Sequence, residues 1–294
     1  MLRSRARPVI LCADGYGLAA GVSRGILELA EARRISALSA FVSLPRWVED
    51  GPKLASVRDR VALGLHLNLT LGAPLGTMPG LAPSGRLPGA GRLFFAAVRR
   101  ALDADEIEAE IERQIAAFER HVGVLPDHID SHEHVHTLPI VRGALLTALS
   151  KRSAAWRPLL RDPLERSLTI AVRGGDMAAA LGYTLQSAGF GLVARRRGYP
   201  TNAGFSGYSA FDTSRMYAVE LAGAMKFPGR RHLVMCHPGH PDAELAALDA
   251  TTLRRGQELD AIFANPAIAG QLWRIDRPAE GPPVDWERAF PHAR

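Results

Sequence analysis

The chain has 294 residues, of which 47% are apolar and 22% charged; that balance suits a globular protein with a sizeable core and excludes extended disorder. Its net charge of +6 and pI of about 9.8 raise the possibility of nucleic-acid binding, but the arginines are scattered. The longest basic cluster, Arg195-Arg196-Arg197, stops at Gly198 and reads as a solvated helix end, so no nucleic-acid partner is expected.

The N-terminus from Met1 to Pro8 is basic, but the apolar run from Val9 to Ala13 that follows is too short for a signal peptide and meets Asp14. No segment reaches the roughly 20 apolar residues of a membrane helix, and a cytoplasmic location is expected. Cys12 and Cys236 end apolar runs without zinc-like spacing, so both are expected to be buried free thiols. The runs Val9 to Ala13, Ser39 to Val42, Val61 to Leu65 and His232 to Cys236 have the length and near-continuous apolarity of buried parallel strands.

Amphipathic stretches separate them. One spans Val22 to Arg34. A second, Ala104 to Val122, carries Ile107, Ile111, Ile115, Phe118 and Val122 at helical spacing, with Asp103 as N-cap and Gly123 as the residue after its end. Between Gly72 and Arg92 the composition shifts to Gly and Pro, which predicts a long loop, either a lid or a surface insertion. Prolines and Gly281 interrupt the chain after Arg277. The expected organisation is one domain over 1–276 and a tail or surface extension over 277–294. Alternating strands and helices place the fold in the α/β class, with a parallel sheet or barrel.

Polar clusters follow four of the strands: Asp14, His66, Asp130 to His136, and His237. Residues just past the carboxyl ends of parallel strands converge on one face, where ligands bind. An isolated histidine there is more often structural; four clusters together point to a site. Neutral imidazoles such as His66 and one of His132, His134 and His136 suit a borderline divalent metal, which lowers the pKa of bound water toward about 7. In an extended segment the three histidines would share one side, whereas a turn would aim them differently. An unliganded carboxylate such as Asp14 and a histidine would handle the protons of a hydrolysis. The residue types thus imply metal-assisted hydrolysis and leave the substrate open.

The motifs Ala13-Asp14-Gly15-Tyr16-Gly17-Leu18, Gly64-Leu65-His66-Leu67-Asn68-Leu69-Thr70, Asp130-Ser131-His132-Glu133-His134-Val135-His136 and Cys236-His237-Pro238-Gly239 resemble the YdjC-like carbohydrate deacetylases. That family includes chitooligosaccharide and hopanoid-associated deacetylases, and the resemblance runs from about Val9 to about Asp260. It implies an irregular (β/α) barrel with its active site at the carboxyl ends of the strands. It also implies one divalent ion, zinc or magnesium, on His66 and His132, with Asp14 as base and His237 as acid. Asp130, His134 and His136 would orient ligands or line the sugar pocket, and Arg161 would position a carboxylate or carbonyl unless it is an ordinary surface residue. The substrate would be a small N-acetylated sugar, and a homodimer is possible.

The chain departs from the family pattern at Gly15, where an aspartate that ligates the metal is expected. Three outcomes are physically open. Asp14 could turn into the vacant coordination position, water could fill it and leave a two-histidine site, or catalysis could be lost and sugar binding retained. Glycine there could also simply relax a tight turn.

Overall fold

A computed structural model describes residues 7–173, 176–248 and 252–291; the basic start from Met1 to Ala6 lies outside them. Seven strands form one sheet: β1 (Val9–Tyr16), β2 (Ala37–Ala40), β3 (Ala62–Leu67), β4 (His128–Ser131), β5 (Leu159–Leu160), β6 (Phe205–Ser206) and β7 (His232–Cys236). Every pairing is parallel, in the order β5-β4-β3-β2-β1-β7-β6. The sheet curls until its two edges approach. Leu160 N–H donates to the Pro200 carbonyl at 2.8 Å, and Leu160 bridges Thr201 just ahead of β6. The result is an irregular (β/α) barrel.

The predicted strands are present with shifted ends. β1 continues to Tyr16 and β3 to Leu67, so Asp14 and His66 sit within strands rather than after them. Their polar side chains find partners inside the barrel, and the ladder continues past them. β2 spans 37–40 instead of 39–42. The helix expected over 22–34 runs Ala20–Glu31. The helix Ala104–Val122 has the predicted ends: Asp103 accepts hydrogen bonds from the backbone N–H groups of Asp105 and Glu106, and Gly123 takes φ 81°. The 72–92 segment is tied down on that helix. Glu110 accepts from the N–H groups of Leu75 and Gly76, and Glu106 from those of Gly80 and Leu81. Met78 and Leu87 are buried, and regular helix resumes at Ala90.

Strand alternation sorts the residues. Val9, Leu11 and Ala13 face the surrounding helices and belong to the main core. Ile10, Cys12, Ala37, Ala62, Leu159, Leu233 and Met235 belong to a second core inside the barrel. Trp273, Trp286 and Phe290 join that inner core, with Trp286 stacked on Phe290. The segment after Arg277 therefore closes the mouth at the amino ends of the strands. It is anchored by Asp127, which takes two bonds from Arg277 (2.5 and 2.8 Å) and one from Val284 N–H, while its carbonyl accepts from the Trp286 indole at 2.6 Å.

The strand register brings Asp14 beside Ser39, Ser39 beside Gly64, and Gly64 beside His128. Gly64 leaves room for the His128 ring, since a Cβ there would lie 2.1 Å from its Nε2. A Gly64→Ala variant is expected to lose about 1–3 kcal/mol through overpacking, read as a lowered urea midpoint. An unchanged midpoint would mean that the ring has somewhere else to go.

Candidate active site

The interior changes character along the barrel axis. Above the apolar layer lie Cys12, Ser39 and His128, and above these Asp14, His66, Asp130 and Arg161, all buried. Arg161 follows β5 directly and is fully buried, which excludes the surface alternative for it. Its guanidinium grips Asp14 with two bonds, Nη1 to Oδ2 at 2.5 Å and Nη2 to Oδ1 at 2.7 Å, and also pairs with Asp130 Oδ2. Asp130 Oδ1 lies 2.6 Å from His66 Nδ1, and Asp130 Oδ2 accepts from Ser39 Oγ at 2.6 Å. Ser39 is itself 2.9 Å from His128 Nε2. One cation thus lies between two carboxylates, each also held by the strands.

The electrostatics follow from this arrangement. Burial is the largest influence and pushes the Asp14 and Asp130 carboxyls up, but the Arg161 charge together with their hydrogen bonds and the nearby His66 outweighs it and leaves both below the ordinary carboxylate range. Asp14 is therefore ionised at neutral pH and held in one orientation. His237 follows β7. Burial first, then the Arg255 guanidinium, lowers its pKa to about 4, so it is neutral. Its backbone N–H donates to Glu258 Oε2 at 2.5 Å, and its buried Nδ1 has no hydrogen-bond partner.

The 132–136 segment is a turn, not an extended strand. Glu133 and His134 take positive φ values of 55° and 54°, and the three histidines diverge. His132 stays at the mouth, its ring centroid 5.9 Å from that of His66, with Phe41 packed edgewise on both. His134 is buried among Tyr183, Phe205 and Tyr208 and lines the cleft. His136 does not reach the cleft. Its Nδ1 lies 2.6 Å from Ser131 Oγ and its Nε2 2.7 Å from the Arg161 carbonyl. Both ring nitrogens are thereby engaged in fixing the chain at Arg161, and His136 is not among the residues that line the cleft.

Asp14, His66, His132, His134 and His237 share a cleft of about 440 Å³ at the carboxyl ends of the strands. Tyr183, Tyr208, Phe211 and Arg255 also line it, whereas among the described residues nothing from 72–92 does. Aromatic walls with a few convergent polar groups suit a sugar-sized ligand. Gly15 lies buried near the end of β1 with φ 107°, where the register of β1 against β2 shifts. A Cβ on Gly15 would lie 3.3 Å from Arg255 Nη1. Arg255 Nη1 also donates to the Asp14 and His237 carbonyls, both at 3.4 Å. The backbone conformation here favours glycine, and a guanidinium lies against the place where the expected carboxylate would begin.

Sequence reasoning missed Ser39, His128, Arg255 and Glu258. The first two had a signal: His128 alternates with Asp130 along one strand and therefore faces the same way. Arg255 and Glu258 lie three residues apart on the helix Thr252–Ala264, distant in sequence from every motif.

Two measurements probe this core. Arg161→Met removes the cation between two buried carboxylates and is expected to destabilise by about 3–5 kcal/mol, seen as a large fall in the urea midpoint; a shift below about 1 kcal/mol would refute the arrangement. The second is pH dependence. Burial lowers His136 and His237 to about 4 and His232 to about 3, against about 6.5 in the unfolded chain. These depressed folded values mean that the unfolded chain binds more protons as pH falls. Stability is fully present above about pH 6.5 and declines toward pH 4 and below. A urea midpoint constant from pH 7 to 4.5 would contradict it.

Comparison with known proteins places this geometry. The chain is 29% identical over 275 residues, 92% of its length and 97% of the other's, to a protein of Klebsiella pneumoniae named chitooligosaccharide deacetylase. It is 34% identical over 164 residues, 55% of this chain and 64% of the other, to a protein of the same name from Enterobacter sp. (strain 638). A crystal structure from Enterococcus faecalis V583, of a protein assigned to cellobiose-phosphate cleavage, superposes with a TM-score of 0.64 at 21% identity, covering 90% of this chain and 96% of that one. That similarity shows the shared fold. Residues 8–272 match the family described as YdjC-like protein, and the chain belongs to that family.

Proposed function

We propose that the protein is a carbohydrate N-deacetylase that hydrolyses the acetamide of a small N-acetylated sugar. One observation carries the reading: Asp14, fixed by Arg161, and His66, fixed by Asp130, meet His237 in one aromatic-walled cleft. The names of the Klebsiella and Enterobacter relatives supply the substrate class.

His66 has the features of a metal-binding histidine, since a carboxylate at 2.6 Å holds one ring nitrogen and so orients the other. The His132 ring stands beside it at the mouth of the cleft, centroid to centroid 5.9 Å. Oxygens of Asp14 and Asp130 lie within 4.8 Å of a His66 ring nitrogen and of each other, but Arg161 already occupies Asp14, and Gly15 offers no side chain. In this proposal a divalent ion is held by two histidines, His66 and His132, and completed by water or substrate. This is the second of the three outcomes open at Gly15. A bound zinc or magnesium ion would supply Lewis acidity toward water and the acetyl carbonyl.

The chain's own groups handle the protons. The Asp14 carboxylate accepts the proton of the attacking water. Arg161 holds that carboxylate in place and keeps it ionised before the reaction. His237, neutral at rest, takes that proton from Asp14 and, as the imidazolium, passes it to the departing nitrogen. Tyr183, Tyr208 and Phe211 stack on the sugar and exclude water.

The test is acetate release from a chitooligosaccharide with and without chelator. Asp14→Asn and His237→Ala are each expected to lower kcat by about 10²–10⁴-fold, and His66→Ala to lower metal affinity as well. Full activity of Asp14→Asn would dismiss its role as base, and no turnover by the parent across N-acetylated sugars would dismiss the reading. Gly15→Asp is expected to tighten metal binding in a calorimetric titration while costing about 1–3 kcal/mol of stability, since φ 107° strains any side chain.

A further inference from the structure

The helix Met177–Gln186 contains no charged residue, and of its side chains only Ala180 is buried. Its two faces differ in use. Ala179 and Tyr183, with the capping Asp176, line the cleft. Met177, Leu181 and Leu185, each one turn from the next, are exposed on the other side. The helix Ser167–Arg173 packs alongside and turns Ile170 inward while exposing Leu168 and Val172. Leu168 and Leu185 are 79% and 78% exposed. An apolar face of this kind on two adjacent helices marks an interaction surface rather than scattered exposed leucines.

The surrounding charge indicates what covers it. Exposed Phe227 shares a groove with Arg7, Arg166 and Arg230, and with Glu165, whose charge is paired by Arg173. Beyond the other end of Met177–Gln186, the helix Phe190–Arg196 runs into the exposed residues Arg195, Arg196 and Arg197. A second copy would bring the same arginines and the same +6 charge against this rim. A phospholipid surface carrying anionic headgroups has the opposite charge. It accepts apolar side chains at the boundary of headgroup and acyl chain while arginines stay at headgroup level. No single described helix is long and apolar enough to cross a membrane; Met177–Gln186 and Phe190–Arg196 reach that length and composition only as a pair bent by 42°, and the arginines that end the pair keep it at the headgroup level. We infer that the outer face of these two helices docks on an anionic bilayer. The wall bearing Tyr183 then sets the cleft at the edge of the lipid surface.

Cosedimentation of the full chain with vesicles tests this. At physiological salt the protein is expected to pellet with vesicles of phosphatidylcholine containing roughly one third phosphatidylglycerol and to stay in solution with phosphatidylcholine alone. The double variant Leu168→Glu, Leu185→Glu is expected to lose binding about tenfold or more with an unchanged melting temperature. The milder Leu185→Ser should lose part of it, and Val48→Glu, at an exposed site in the Trp47–Asp50 turn, should retain all of it. The inference is overturned if the parent ignores anionic vesicles, if the double variant binds as well as the parent, or if light scattering shows a dimer that the same two substitutions dissociate.

Discussion

Arg161 is the residue on which the site depends. A fully buried guanidinium is costly to place, and here two carboxylates from different strands, Asp14 on β1 and Asp130 on β4, compensate it. The pairing works in both directions. The carboxylates permit the arginine to be buried, and the arginine keeps both ionised in an interior that would otherwise protonate them. From that triad the other groups take their places. Asp130 sets the His66 ring, Ser39 and His128 steady Asp130, and His136 holds the backbone at Arg161 from behind. The functional end of the barrel is a charge-balanced core rather than a set of residues hung on loops.

This accounts for what sequence could and could not reveal. Strand positions were legible because a parallel strand packed on both faces reads as a short apolar run, and the 104–122 helix because its cap, stripe and terminal glycine agree. His66, Asp14 and His237 were legible as polar residues where apolar strands end. The roles within the 132–136 segment were not. Three alternating histidines look equivalent until Glu133 and His134 enter the left-handed region and send each ring to a different neighbour. Arg161 was equally opaque, because burial of an arginine depends on partners as far as 147 residues away in sequence that no local pattern reveals.

Gly15 illustrates how backbone and chemistry are coupled. Asp14 faces the barrel interior by alternation with Ile10 and Cys12, and the register shift between β1 and β2 follows it at Gly15. The positive φ that accompanies the shift favours glycine, and Arg255 closes over the space. Loss of the expected carboxylate is therefore not an isolated deletion. It belongs to a local arrangement of turn, glycine and guanidinium that shifts the charge at the end of β1 toward positive while the acidic groups remain deeper.

The closure of the opposite mouth by Trp273, Trp286 and Phe290 bears on traffic. Among the described residues, indoles and a phenyl ring fill the floor of the barrel, and the cleft opens at the carboxyl ends of the strands. Whatever enters between the aromatic walls leaves by the way it came. For a reaction that splits one molecule into two, the smaller fragment must escape past the larger or wait for it, and a second water must arrive by the same route. Turnover is then governed by the order of departure as much as by the bond broken, and bulk added to a ligand near the rim slows exit even where it leaves binding intact.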